Sequence, residues 1–242
     1  MGIRFGQFLR IAACGALFFA GLASHPLAAQ EDVFRGGRVG WARLQTTDEY
    51  WRRHSETDTR LSAFIRTRTS LNIDETWYTA NVSRLDQLTA YPLIFANTLA
   101  RVTDPADQRN LTEYLRRGGF LVVDACANVN INPSPETFLA TNTKIFKTIL
   151  PGCEIRQLPP NHEIYRCFFK MEETPPHTYH SGIFNPRWFR YGLQGVYVQD
   201  RLVSLITLSG LQCGWSGVPA EPDHHIRCME MMCNIYVYAM TR

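Results

Sequence analysis

Gly118-Gly119-Phe120-Leu121-Val122-Val123-Asp124-Ala125-Cys126 reads as a helix stop, a buried strand and a polar, thiol-bearing strand end. Paired glycines end helices because glycine adopts the left-handed conformation at little cost. The unbroken apolar run from Phe120 to Val123 is the pattern of a strand covered on both faces, as parallel strands are. Ligands of open α/β sheets sit in the crevice beyond the carboxyl ends of the strands. Asp124, Cys126 and Asn128 are therefore candidate ligand-binding residues.

Upstream of this stretch, Asp104-Pro105 supplies a helix cap followed by proline at the first helical position, and Leu111, Tyr114 and Leu115 form the apolar stripe of that helix. Tyr91 to Asn97 is a second compact apolar run, Arg38 to Gln45 a first strand and Thr57 to Thr69 a helix, with a short strand near Glu75 to Thr79. Downstream, Pro135 to Leu150 places Phe138, Leu139, Ile145, Phe146 and Ile149 on one helical face. Glu154 to Leu158, Val196 to Gln199 and Leu202 to Leu208 read as strands, the last two forming an antiparallel hairpin around Gln199-Asp200-Arg201. Pro175 to Tyr191 reads as a long excursion over the strand ends, and Pro222 to Met240 as a closing helix. Alternating strands and helices imply right-handed crossovers. The expected fold is a three-layer α/β domain with a mostly parallel central sheet, helices on both faces and an antiparallel hairpin near the C-terminal end.

The chain has 242 residues, and its start has the layout of a secretory signal peptide: Arg4 and Arg10 without acids, an apolar run from Ile11 to Ala23, then Pro26-Leu27-Ala28-Ala29-Gln30. The reading is a cleaved signal at 1–29, a short linker at 30–36 and one α/β domain at 37–242. The apolar run is shorter than the roughly 20 residues of a membrane span, so no span is expected in the mature chain. Ile11-Ala12-Ala13-Cys14-Gly15 resembles an acylation box, but Arg10 immediately before it argues against lipidation. Loss of Arg4 and Arg10 takes the formal charge from +3 to +1. That balance gives no reason to expect nucleic acid, despite the basic-aromatic run Asn185 to Tyr191. The expected location is periplasmic or secreted, and the expected partner is a cell-envelope protein or a small-molecule ligand.

Beyond the signal lie Cys126, Cys153, Cys167, Cys213, Cys228 and Cys233, an even count that makes disulfides plausible in an oxidising compartment. Cys153 with Cys167 is the first pairing to expect, and Cys213 with Cys228 or Cys233 the second. For catalysis, Cys126 would need activation by a histidine such as His180 or His224, because a thiol is mostly protonated at neutral pH. No glycines flank it to form a nucleophile elbow. Of the paired histidines His177 and His180 on the loop and His224 and His225 after Asp223, His180 and His224 with Asp124 are the preferred, weak candidates for a metal, and neither metal nor cofactor is expected. His162, which follows Pro159-Pro160-Asn161, and Trp215, on a region read as loop, complete the candidate ligand-binding set with Asp124, Cys126, Asn128 and His180.

Taken in order, the Leu115 to Cys126 block, Asn161-His162-Glu163-Ile164-Tyr165, Asp200-Arg201-Leu202-Val203, Cys213-Gly214-Trp215 and Asn234-Ile235-Tyr236-Val237-Tyr238-Ala239 resemble the bacterial domain-of-unknown-function family 4159. The resemblance spans residues 37 to 241. It implies a flavodoxin-like fold of the class I glutamine-amidotransferase kind, and the His162 segment is similar to the His-Pro-Ile stretch of ThuA-like domains, with Glu163 in place of the proline. The family brings no reaction with it. The expectation is an exported, non-catalytic domain that binds a ligand or protein at the sheet's C-terminal edge; the alternative is a cysteine- or metal-dependent hydrolase or amidase at the same edge.

Overall fold

A computed structural model of the chain describes residues 37–126, 128, 131–132, 134–180 and 182–241. The expected signal peptide and linker lie outside the described residues. None of the described helices is long and apolar enough to cross a membrane.

The central run folds as its pattern dictates. Helix α3 (Pro105–Arg116) is capped by Asp104, whose carboxylate accepts from the Ala106 amide. It ends at Gly118, which adopts φ +98°. The next residue, Gly119, sits under the ring of Tyr114, where a Cβ would come within 2.2 Å of the ring. Only glycine lets the chain turn there and enter β4 (Phe120–Asp124), and the Tyr114 hydroxyl then bonds the Phe120 carbonyl at 3.0 Å. All five residues of β4 are buried, because the strand is central.

Seven strands form one sheet in the order β2-β1-β3-β4-β9-β8-β5, where β1 is Val39–Gln45, β2 Ile73–Asn81, β3 Leu93–Ala96, β5 Glu154–Gln157, β8 Leu193–Val198 and β9 Arg201–Thr207. The five strands from β2 to β9 pair in parallel, and β8 is antiparallel to both β9 and β5. The β8–β9 hairpin turns on Gln199 and Asp200, both left-handed with φ +50° and +64°. Such a primed turn matches the twist of the two strands.

Successive side chains of a strand point to opposite faces. On one face Trp41, Phe95, Phe120, Val122 and Leu205 pack against α1 (Asp58–Arg68), α6 (Leu211–Trp215) and α7 (His224–Thr241). On the other, Ala42, Ile94, Leu121, Val123 and Ile206 pack against α2 (Leu85–Leu88), α3 and α4 (Pro135–Ile149). Three layers result, with helices on both faces, as the sequence led us to expect.

Two sequence expectations change. The excursion at 175–191 is not all loop: it contains a small antiparallel hairpin, β6 (Tyr179–His180) and β7 (Ile183–Phe184), followed by the short helix α5 (Pro186–Phe189). Among the described residues no disulfide joins any of the six cysteines of the domain. Cys153 packs in the core beside α3 and α4, whereas Cys167 donates to the Asn234 carbonyl of α7 on the opposite face. The sheet therefore separates the pair first expected to bridge.

Candidate functional site

Strand β1 feeds β2 on one side and lies beside β3 on the other, so the segments leaving β1 and β3 diverge and open a crevice between them. That crevice, of about 370 Å³, is lined by Asp48, Tyr50 and Arg53 after β1, Thr98 and Arg101 after β3, and Asn132 after β4. At its mouth Arg101 pairs with Asp48 at 2.7 Å. On its wall the Tyr50 hydroxyl and Arg53 Nε are buried without a hydrogen-bond partner of ordinary geometry. Burial pushes the Tyr50 phenol up, so it stays a protonated donor at neutral pH.

The segment carrying Tyr50 and Arg53 is rigidly held. Arg43, in the middle of β1 and only 1 % exposed, extends its guanidinium to Asp58 Oδ1 at 2.6 Å and to the carbonyls of Trp51 and Arg53 at 3.0 and 2.9 Å. The Asp58 carboxylate also accepts from Trp41 Nε1 at 2.8 Å. Asn97, just past β3, donates to the Tyr50 carbonyl at 2.9 Å, and Gln212 of α6 donates to the Arg53 carbonyl at 2.7 Å. A buried pair satisfied on every side fixes geometry more than it adds stability.

Next to the crevice, β4 and β9 deliver two thiols. Asp124, 2 % exposed, accepts the Leu211 and Gln212 amides at 3.1 and 2.8 Å and so fastens the start of α6 to the end of β4. Burial raises its carboxyl to about 7 against the pull of those amides and the Thr207 hydroxyl. The helix so placed presents the Cys213 thiol to Cys126 with their sulfurs 3.5 Å apart, Cys213 donating. That hydrogen bond lowers the Cys126 thiol, helped by the Asn128 amide and the charges of Arg53 and His180, and it raises Cys213 together with burial and the neighbouring Asp124. Asn132 Nδ2 holds the Cys126 carbonyl at 2.6 Å. The edge therefore carries one thiolate-prone sulfur beside one that keeps its proton.

Residues 41–240 match the family model described as Domain of unknown function (DUF4159). The chain belongs to the DUF4159 family. None of the curated proteins compared with it gives a significant match. The DUF4159 region runs from β1 into the last turn of α7 and contains every residue of the crevice and of the thiol pair.

Within this DUF4159 domain, Asp124 and the Asn128 amide lie at Cys126, and His180 acts on Cys126 only through its charge. His224 turns elsewhere: it is buried, its Nε2 lies 3.4 Å from Cys228 Sγ, its ring packs edge-on against Tyr179, and burial lowers its pKa to about 4. His162 is at the far end of the sheet. Its Nδ1 caps the turn Glu163–Tyr165 by accepting the Ile164 amide, and its ring packs on Tyr238, which meets Phe120 at the start of β4. Trp215 is fully buried against Trp41 and Phe95. Trp188 is likewise a core residue packed on Phe138.

Among the described residues Asp124, His180 and His224 do not form a three-ligand group. Among those residues the three that do are Glu173, His177 and Glu221, whose ligand atoms lie within 4.8 Å. Arg227 already lies 3.9 Å from Glu173 and bonds Glu221, supplying the positive charge there. Cys126 itself has no left-handed backbone; among the described residues the non-glycine ones that do are His54, Gln199, Asp200 and Asp223.

Sequence reasoning missed Tyr50, Arg53, Asn132 and the role of Cys213. The run Asp48-Glu49-Tyr50-Trp51-Arg52-Arg53 directly after a strand was the available signal, since strand ends at a crevice are where polar side chains converge.

Proposed function

We propose that this is an exported ligand-binding domain whose crevice, where β1 and β3 diverge, takes a small anionic molecule. The carrying observation is that Arg53 Nε is buried on the crevice wall with no hydrogen-bond partner and that the Tyr50 hydroxyl beside it is buried with only the Asn132 side chain near it. Unsatisfied buried donors are costly, and a carboxylate or phosphate oxygen would satisfy both. The signal-like start supports export to the periplasm or medium. The parallel order β2-β1-β3-β4-β9 supports the flavodoxin-like reading, in which ligands sit at this switch point.

A cysteine-dependent hydrolase or amidase is the second reading. It is favoured by the lowered Cys126 thiol within reach of His180; the ordinary backbone at Cys126 and the diversion of His224 to Cys228 weigh against it.

The test is a thermal-shift screen of carboxylates and phosphate esters, followed by calorimetry of hits on Arg53→Gln and Tyr50→Phe. The expected result is at least roughly tenfold weaker binding for Arg53→Gln, the loss of one charge-assisted hydrogen bond. Hits that bind both variants as tightly as the wild type would overturn the assignment of this crevice.

A further inference from the structure

We infer that Cys126 and Cys213 form a thiol–disulfide exchange centre. The proposal stands on placement. The two residues are 87 positions apart in sequence, yet their sulfurs meet at 3.5 Å because β4 pairs with β9 and Asp124 pins α6 across the gap. A disulfide needs about 2.05 Å between sulfurs, so the two stand within about 1.5 Å of bonding distance. Both residues are partly exposed, and Cys126 lies beside the crevice wall, with Asn132 bonding its carbonyl and Tyr50 and Arg53 among its electrostatic neighbours. Their environments are unequal: Cys126 sits among donors and positive charge, whereas Cys213 sits beside Asp124 and Cys228. Attack by one sulfur and resolution by the other is the division of labour such asymmetry favours.

The oxidant is an external disulfide, RS–SR, either a small-molecule disulfide or one on a protein. The Cys126 thiolate attacks one of its sulfurs; the RS–SR bond breaks, the Cys126–SR bond forms and RS⁻ leaves. The leaving thiolate takes the Cys213 proton to become RSH. The Cys213 sulfur then attacks Cys126 Sγ, the Cys126–Cys213 bond forms, and the second RS⁻ departs with a proton from solvent. Cys126 starts as a thiolate, its proton already in solvent, so the dithiol loses two electrons and two protons and the disulfide becomes two RSH. The argument for the thiol pair does not rest on the reading of the crevice as an anion site.

The purified wild-type protein is equilibrated in reduced and oxidised glutathione, quenched in acid, alkylated and mapped by mass spectrometry. The expected product is a two-hydrogen mass loss with Cys126 linked to Cys213, reversed by reduced glutathione. In Cys213→Ser, glutathione should remain trapped on Cys126, and in the reduced wild type Cys126 should alkylate roughly tenfold or more faster than Cys213. The proposal is wrong if oxidised glutathione leaves both thiols alkylatable, if Cys213 links instead to Cys228, or if the wild type accumulates an unresolved Cys126 adduct. Because the disulfide is mapped on the wild type, the outcome does not depend on whether Cys213→Ser folds.

Discussion

Two demands meet at Asp124. Burial favours its protonated form and raises the carboxyl to about 7, while the Leu211 and Gln212 amides favour its charge. The native state thus holds a proton that the unfolded chain releases above pH 3.8, and stability must fall as pH rises across that window. His224 acts with the opposite sign. Its pKa is lowered from 6.5 to about 4, so the unfolded chain takes up a proton that the native state refuses, and stability must fall as pH drops through the same region. The two slopes oppose one another between about 4 and 6.5. Replacing Asp124 by Asn removes one of them. Urea midpoints should then show wild type losing ground to Asp124→Asn as pH rises from 4 to 7; a constant difference would mean that the carboxyl ionises in the fold as it does in the unfolded chain. For His224→Gln the wild type should gain ground as pH rises toward 6.5.

Among the elements, the segment between β1 and α1 bears the crevice wall, and its position depends on the buried Arg43–Asp58 pair. Removing one partner leaves an uncompensated charge in the core, so Asp58→Ala should cost about 3–5 kcal/mol in urea unfolding. The double change Arg43→Met with Asp58→Leu should recover much of that stability while loosening the crevice, read as weaker ligand binding. Equal loss in single and double variants would show that packing, and not the charge, is what Asp58 supplies. This part of the fold was only half legible. The glycine pair and apolar run of β4 were readable because caps and buried strands are local patterns, and α3 and β4 fall where those patterns place them. Arg43 was not, because a charge inside a strand declares itself only when its partner from the next helix is in place. The same holds for Trp215, whose loop-like neighbourhood in sequence gave no sign that its ring fills the space between Trp41 and Phe95.

On the scale of the whole molecule, the expected layers and hairpin could be foreseen from periodicity, whereas the meeting of Cys126 with Cys213 could not. Spacing in sequence carries no information about which strands become neighbours, and β9 reaches β4 only after the chain has laid down α4, β5 and β8. Export makes its own prediction: intact-mass measurement of protein recovered from the envelope or medium should give a chain beginning at Gln30, and a chain beginning at Met1 would remove the case for cleavage. Gln212 has a consequence that reaches across the domain. Its amide is held by Asp124 and its side chain by the Arg53 carbonyl, one residue before Cys213. Whatever draws Cys213 toward Cys126 therefore pulls on the strut that positions Arg53. By thermodynamic reciprocity, an occupant of the crevice that favours one sulfur oxidation state must be favoured by that state in equal measure, so that binding and redox poise would be two readings of a single equilibrium.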